Sequence, residues 1–216
     1  MTRGILIAGH ESPLASALGA EAARRVTCYA AAFIPRNGTA RKDPGKYIPL
    51  EWSSSSPIAA RTLVLAAVNR LEHIDDAVLA CVPPVCRKAP EDVAPVEIDK
   101  LVDDHIKRWI FLVRELTAVF KVRRSGSLAL VLSESGGGAR DEIPDLLGAP
   151  AAAAFRAFAQ AVLLSSRSEP YNVMGFSSSE PGEENAFAAY VFKTMEEGER
   201  NSGKWHKHGR FGLFGR

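Results

Sequence analysis

Gly4-Ile5-Leu6-Ile7-Ala8-Gly9-His10-Glu11-Ser12-Pro13-Leu14-Ala15-Ser16-Ala17-Leu18 is the stretch that decides the fold. Residues 4–8 form an apolar run of strand length, 9–13 are turn-forming, and an Ala- and Leu-rich run then continues to Arg25. That order reads as strand, tight turn and helix. Residues 26–32 follow as a β-branched and aromatic run, nearly all apolar, as a strand covered on both faces should be. Two strands joined through a helix are the unit of a parallel sheet.

The same alternation continues outward. Residues 34–49 hold three prolines and an Asn37-Gly38 turn signal, which predicts a loop or short hairpin. A helix is expected from Pro57, capped by Ser56, to near Glu72, and a strand over 76–82 that stops at Pro83-Pro84. Apolar residues at helical spacing predict one long helix over 98–120, then a strand over 127–132. A loop rich in Gly, Ser and Pro over 133–150 leads to an alanine-rich helix over 151–164. A short strand over 172–176, a helix over 183–196 and a last strand within 203–216 complete the pattern. The expectation is one doubly wound, Rossmann-like α/β domain over 1–216, with six to seven parallel strands and helices on both faces.

Composition excludes more than it identifies. The chain has 216 residues, 46% hydrophobic and 24% charged, which suits a globular protein and not a disordered one. A net charge of +2 does not call for nucleic acid or an anionic membrane as partner. No apolar run reaches bilayer length, and residues 1–10 do not read as a secretory signal. Cys28, Cys81 and Cys86 lack metal-ligand spacing, so a reduced, cytoplasmic protein without a metal is expected. The basic, aromatic tail 203–216 is read as the last strand and a terminal arm rather than a nucleic-acid contact, because the rest of the chain is not basic.

Several strings resemble the short-chain dehydrogenase/reductase family: Arg70-Leu71-Glu72-His73-Ile74-Asp75-Asp76-Ala77-Val78-Leu79 as its passage into the fourth strand, and 128–135 as its fifth strand ending in serines. Glu184-Asn185-Ala186 and Ser202-Gly203-Lys204-Trp205 are similar to its last helix and strand. The resemblance spans nearly the whole chain and implies NADP or NAD as cofactor, with Gly9, Ser12, Leu14, Arg36, Glu51 and Ala80 near it. Basic Arg36, Arg41 and Lys42 after the second strand would favour the 2′-phosphate of NADP.

The family's diagnostic motifs are absent. Of its glycine-rich turn only Gly9 survives; Pro13 removes an N–H, and Glu11 sets a carboxylate where a pyrophosphate would rest. Its Asn-Asn-Ala-Gly becomes Ala80-Cys81-Val82-Pro83, and a helix Asn becomes His105. The family's Tyr acts as acid/base, its Lys lowers that pKa and holds the ribose, and its Ser orients substrate. Ser133 or Ser135 fits the Ser, but 146–152, where Tyr-x-x-x-Lys is due, contains neither residue.

Two readings follow. In one, the chain is a degenerate, non-catalytic relative that serves as a binding, regulatory or assembly module, associating with itself through helices 98–120 and 151–164. In the other it is an NAD(P)-dependent oxidoreductase with relocated groups, Ser133 or Ser135 orienting substrate and His105 or Tyr171 giving the proton. His105 reads equally as a helix-interface histidine. Family members are commonly longer, and the shortening falls in 34–49 and 177–182, both beside the implied site.

Overall fold

A computed structural model of the chain describes residues 3–34, 47–52, 55–134, 145–180 and 182–209. Seven strands, β1 (Ile5–His10), β2 (Tyr29–Ile34), β3 (Tyr47–Pro49), β4 (Asp76–Cys81), β5 (Ser127–Ser133), β6 (Asn172–Ser178) and β7 (Trp205–His208), form one sheet in the order β3-β2-β1-β4-β5-β6-β7. Every pairing is parallel. The helices are α1 (Pro13–Arg25), α2 (Pro57–Leu71), α3 (Pro95–Val102), α4 (Arg108–Arg123), α5 (Gly148–Ser165) and α6 (Glu184–Glu196). The expected doubly wound α/β sheet is therefore the observed one.

Period-two alternation within the strands divides the core into two layers. Leu6 and Ala8 of β1 face α2, α4 and α5, joining Leu63, Leu112, Leu116 and Phe155. Ile5 and Ile7 face the other way, meeting Leu14 and Leu18 of α1 and Phe187 and Val191 of α6. Both faces of the central strands are thus dry, which is why their sequences are continuously apolar. Two helices start identically: Ser12-Pro13 and Ser56-Pro57 place a serine Oγ that accepts the backbone N–H three residues on, each at 3.1 Å.

Three elements depart from the sequence expectation. Part of the supposed loop 34–49 is a strand: Tyr47–Pro49 pairs with Tyr29, Ala30 and Ala31, and Leu50 N–H extends the ladder to Ala31 O at 2.8 Å. Three residues at a sheet edge carry too short a pattern to stand out, and a proline is tolerated there. Residues 26–28 stay outside β2, because Val26 N–H closes the end of α1 on Ala22 O at 3.0 Å. The long helix 98–120 is two α-helices joined by a π-helical turn at Asp103–Lys107, clasped by ion pairs from Lys107 to Asp103 (2.9 Å) and Arg108 to Asp104 (2.7 Å). Such a turn holds one residue more than an α-turn and is frequent at functional sites.

Candidate functional site

β2 lies on one side of β1 and β4 on the other, so the connections leaving their carboxyl ends diverge, and a crevice opens where the strand order reverses. A cleft of about 240 Å³ occupies that place. His10 ends β1, Ile34 ends β2, Pro84, Val85 and Cys86 follow β4, and Leu101, Asp104 and His105 come from α3 and the π-turn. Leu147, just before α5, closes the wall.

Local chemistry explains why these residues meet. Pro83-Pro84 ends β4 and turns the chain over the cleft, and Asp145 Oδ1 then accepts N–H groups from Cys86 (3.0 Å) and Gly148 (2.8 Å), tying that loop to the start of α5. The π-turn buries His105, whose ring stacks on that of His10 with centroids 4.7 Å apart and planes 14° from parallel. Trp109, one turn further on, meets His10 edge-on at 6.3 Å, Phe155 at 5.5 Å and Trp52 at 5.6 Å. Arg108 lies over the Trp52 ring at 5.0 Å and donates to Trp52 O at 3.1 Å and to Asp104. A carboxylate, a carbonyl and an aromatic face compensate the two terminal nitrogens of this buried guanidinium, while its Nε has no hydrogen-bond partner among the described residues.

The first turn is closed on itself. Glu11 N–H donates to Ile34 O at 2.9 Å, Ser12 Oγ takes Ala15 N–H, and Pro13 has no N–H to offer. Gly9 is needed for packing: a Cβ there would stand 2.5 Å from the Ala80 carbonyl oxygen of the neighbouring strand.

The structure brings His105 into the cleft and sets Gly9 beside Ala80 within the sheet. Ser12 caps α1, and Leu14 is buried against the core. Glu51 is exposed after β3, and Ser133, half-buried, ends β5 opposite Ser178; neither lines the cleft. Arg36, Arg41, Lys42 and Ser135 lie outside the described residues. Tyr171 corrects an expectation. It precedes β6 at the amino end of the sheet and packs on Phe120 at 6.0 Å, roughly 20 Å of strand away from Ser133, so it cannot give a proton at the carboxyl end.

Sequence reasoning did not place His10 against His105, nor bring Trp52 to Trp109 and Arg108. His10 was legible as a residue of the turn after the first strand, where ligand-facing groups emerge, and β1 extends to include it. Trp52 follows the strand that the sequence hid, and no local signal pairs it with Trp109.

No protein-family profile matches the chain, and no curated protein does either. Solved structures do. An NADH-dependent reductase A1-R′ complexed with NAD superposes with a TM-score of 0.75 at 15% identity, over 95% of this chain and 94% of that one. A short chain dehydrogenase from Mycobacterium smegmatis gives 0.73 at 13% identity, over 97% and 93%. A short-chain dehydrogenase/reductase from Serratia marcescens gives 0.70 at 13%, over 95% and 96%. Identities this low establish the fold alone: the chain has the architecture of the short-chain dehydrogenase/reductase structures. Among the described residues no helix is long and apolar enough to cross a membrane.

Proposed function

We propose that this chain is a degenerate, non-catalytic relative of the short-chain dehydrogenases that uses its switch-point cleft to bind a small ligand in place of a dinucleotide. One observation carries the reading: the turn that would cradle a pyrophosphate has two of its N–H groups engaged and a proline in place of a third. A phosphate needs converging N–H groups at the helix N-terminus. Here Glu11 N–H is held by β2, Ala15 N–H by Ser12, and Pro13 has none. The stacked rings of His10 and His105 fill the space beside that turn. Volume supports the same conclusion. About 240 Å³ is below the roughly 300–1,000 Å³ of pockets for drug-sized ligands, and a dinucleotide is larger than those ligands. Among the described residues, the first turn does not fit the pyrophosphate of NAD or NADP.

The stretch 146–152 contributes Leu147 to the cleft wall and buried Ala151 to the core, where the family resemblance places an acid/base Tyr and its Lys. Losing the positioned proton donor removes on the order of 10²–10⁴-fold in rate. Self-association through α4 and α5 belongs to this reading, but the bulky Trp109, Leu116, Phe120 and Phe155 of those helices are buried in the chain's own core, which leaves the exposed Ile110 and Leu164 for a contact.

The second reading, an NAD(P)-dependent oxidoreductase with relocated groups, is favoured by one observation, the titratable His105 in the cleft. Thermal denaturation with millimolar NADH and NADPH separates the two. The expected result is no shift in Tm; a dinucleotide at ~100 times its Kd would stabilise the fold by about 2.7 kcal/mol and restore the oxidoreductase reading. Light scattering is expected to give a dimer or tetramer at micromolar protein, and a monomer would remove the assembly role.

A further inference from the structure

We propose that acid loosens β7 from the sheet, with His206 as the residue that takes up the proton. A titratable ring is used here as a packing surface on an edge strand. β7 has four residues, stands last in the strand order and pairs with β6, from Gly175 opposite Trp205 to Ser178 opposite His208. Its opening breaks that ladder and leaves the other pairings of the sheet whole. Strands held in this way open locally, without global unfolding. A joint precedes it: Gly203 has φ +73°, a left-handed conformation that suits glycine, and its N–H donates to Val173 O at 2.7 Å.

Period two sets His206 and His208 on one face of β7 and Trp205 and Lys207 on the other. The His206 ring lies on that of buried Phe176, with centroids 5.2 Å apart and planes 25° from parallel. Tyr190 of α6 meets Phe176 edge-on at 6.2 Å. A neutral imidazole suits such a place, whereas an imidazolium brings a charge and a second N–H donor into it. His206 Nε2 has a long contact of 3.4 Å with Asn201 O. β6 carries no charged residue, and Glu196 of α6 is turned to Arg25. Glu197, just after α6, already accepts Asn201 Nδ2 at 2.9 Å, and Lys204 is held on Arg200 O at 2.7 Å. Burial is the largest influence and pushes the His206 imidazole below the ordinary His range; Lys204 adds to it, while the Asn201 carbonyl and Glu197 oppose it.

His208 has different surroundings. It meets Phe187 at 5.3 Å and Tyr190 at 5.5 Å, and it borders a small cleft with Glu134 and Glu180, so carboxylates lie beside it. Trp205 secures the opposite face of the strand, its Nε1 donating to Ser177 Oγ at 3.1 Å beneath Arg156, and neither contact changes between about pH 5 and 8. Linkage gives the sign. Above the ordinary His value the ring is neutral whether β7 is docked or open. As pH falls through that value the open form takes up the proton first, and opening is increasingly favoured until pH passes the lower value of the docked ring. Each pH unit between the two values changes the opening equilibrium about tenfold.

Amide exchange of the full chain at pH 7.5 and 5.0, corrected for intrinsic rates, tests this. Protection at residues 205–208 is expected to fall by about fivefold or more at pH 5.0, while residues 6–8 of β1 and 77–80 of β4 keep theirs. His206→Phe keeps a ring on Phe176 and takes no proton, so it is expected to hold protection at both pH values. His208→Gln is expected to respond as the parent does. Protection at 205–208 that acid leaves unchanged in the parent, that falls equally in β1 and β4, or that still falls in His206→Phe overturns the proposal. NMR titration of the His206 ring in the parent decides where His206→Phe does not fold: a midpoint below the ordinary His value supports the proposal, and one at or above it overturns it.

Discussion

The two ends of this sheet are built from opposite materials. At the amino end the groups are charged. Arg3 is paired with Asp76 at the start of β4, and Asp75 accepts Gly4 N–H at 2.8 Å and is paired with Arg123 at 3.2 Å. At the carboxyl end the groups are rings, with His10, His105, Trp109, Trp52 and Phe155 in one connected stack. The amino end has much the larger cleft, about 750 Å³, bordered by Arg3, Asp75, Asp76, Arg124, Arg167 and Tyr171. Yet Arg3, Asp75 and Asp76 are engaged in fastening strand ends to one another, and the smaller cleft sits where diverging connections leave β1. Topology locates the candidate site in this fold; room alone does not.

The comparison can be broken most forcefully at the carboxyl end. Trp109→Ala should destabilise the protein by about 4 kcal/mol, since it removes a buried indole touching three rings, and denaturant titration checks this. A loss under 1 kcal/mol would mean that the ring stack is ornamental. Gly9→Ala should cost about 3 kcal/mol by the same measurement, because its Cβ meets a backbone carbonyl that cannot move without breaking the β1–β4 ladder. If that variant is as stable as the parent, Gly9 is held for a ligand and not for packing.

At the amino end the expected effect is smaller and depends on pH. Burial pushes the Asp76 carboxyl above the usual Asp range, with the hydrogen bond and charge of Arg3 opposing it. Arg3→Ala leaves that carboxylate without its partner and should cost about 2 kcal/mol at pH 7, discounted because the Arg3 side chain is 41% exposed. The sign follows from linkage. The variant raises the folded pKa of Asp76 further above its unfolded value, so the folded state takes up a proton more readily. The deficit is therefore full at neutral pH and closes as pH falls through the raised folded pKa. A deficit that grows on acidification would show that the pair does not behave as described. Smallest of the four, Ser12→Ala should cost about 1 kcal/mol through loss of the α1 cap. It should leave NADH binding absent, and affinity gained on freeing Ala15 N–H would reopen the first turn as a phosphate site.

How much of this was legible depended on whether the signal was local. The β1–α1–β2 unit was readable because an apolar strand, a Ser-Pro cap and an Ala/Leu helix each announce themselves within a few residues. β3 was not, since Tyr47–Pro49 is three residues long and its partner Tyr29–Ala31 is far away in sequence. With β3 hidden, Trp52 had no place, and its contacts with Trp109 and Arg108 could not be expected. His105 was singled out as a candidate acid, but its partner His10 sits 95 positions earlier, and only closure of the sheet puts the rings 4.7 Å apart. Tyr171 failed for a related reason: residue type suggested an acid, while the strand direction that puts it at the wrong end is a property of the sheet.

The sequence by itself determined the alternation of strands and helices, hence a parallel, doubly wound sheet, and the absence of the glycine-rich and Tyr-x-x-x-Lys motifs, because these are written in neighbouring residues. Tertiary structure alone decided that Glu11 N–H is held by the end of β2 and that a π-turn presents His105 to His10. Each depends on distances between groups remote in the chain, and such distances are set only when the two core layers close around the sheet.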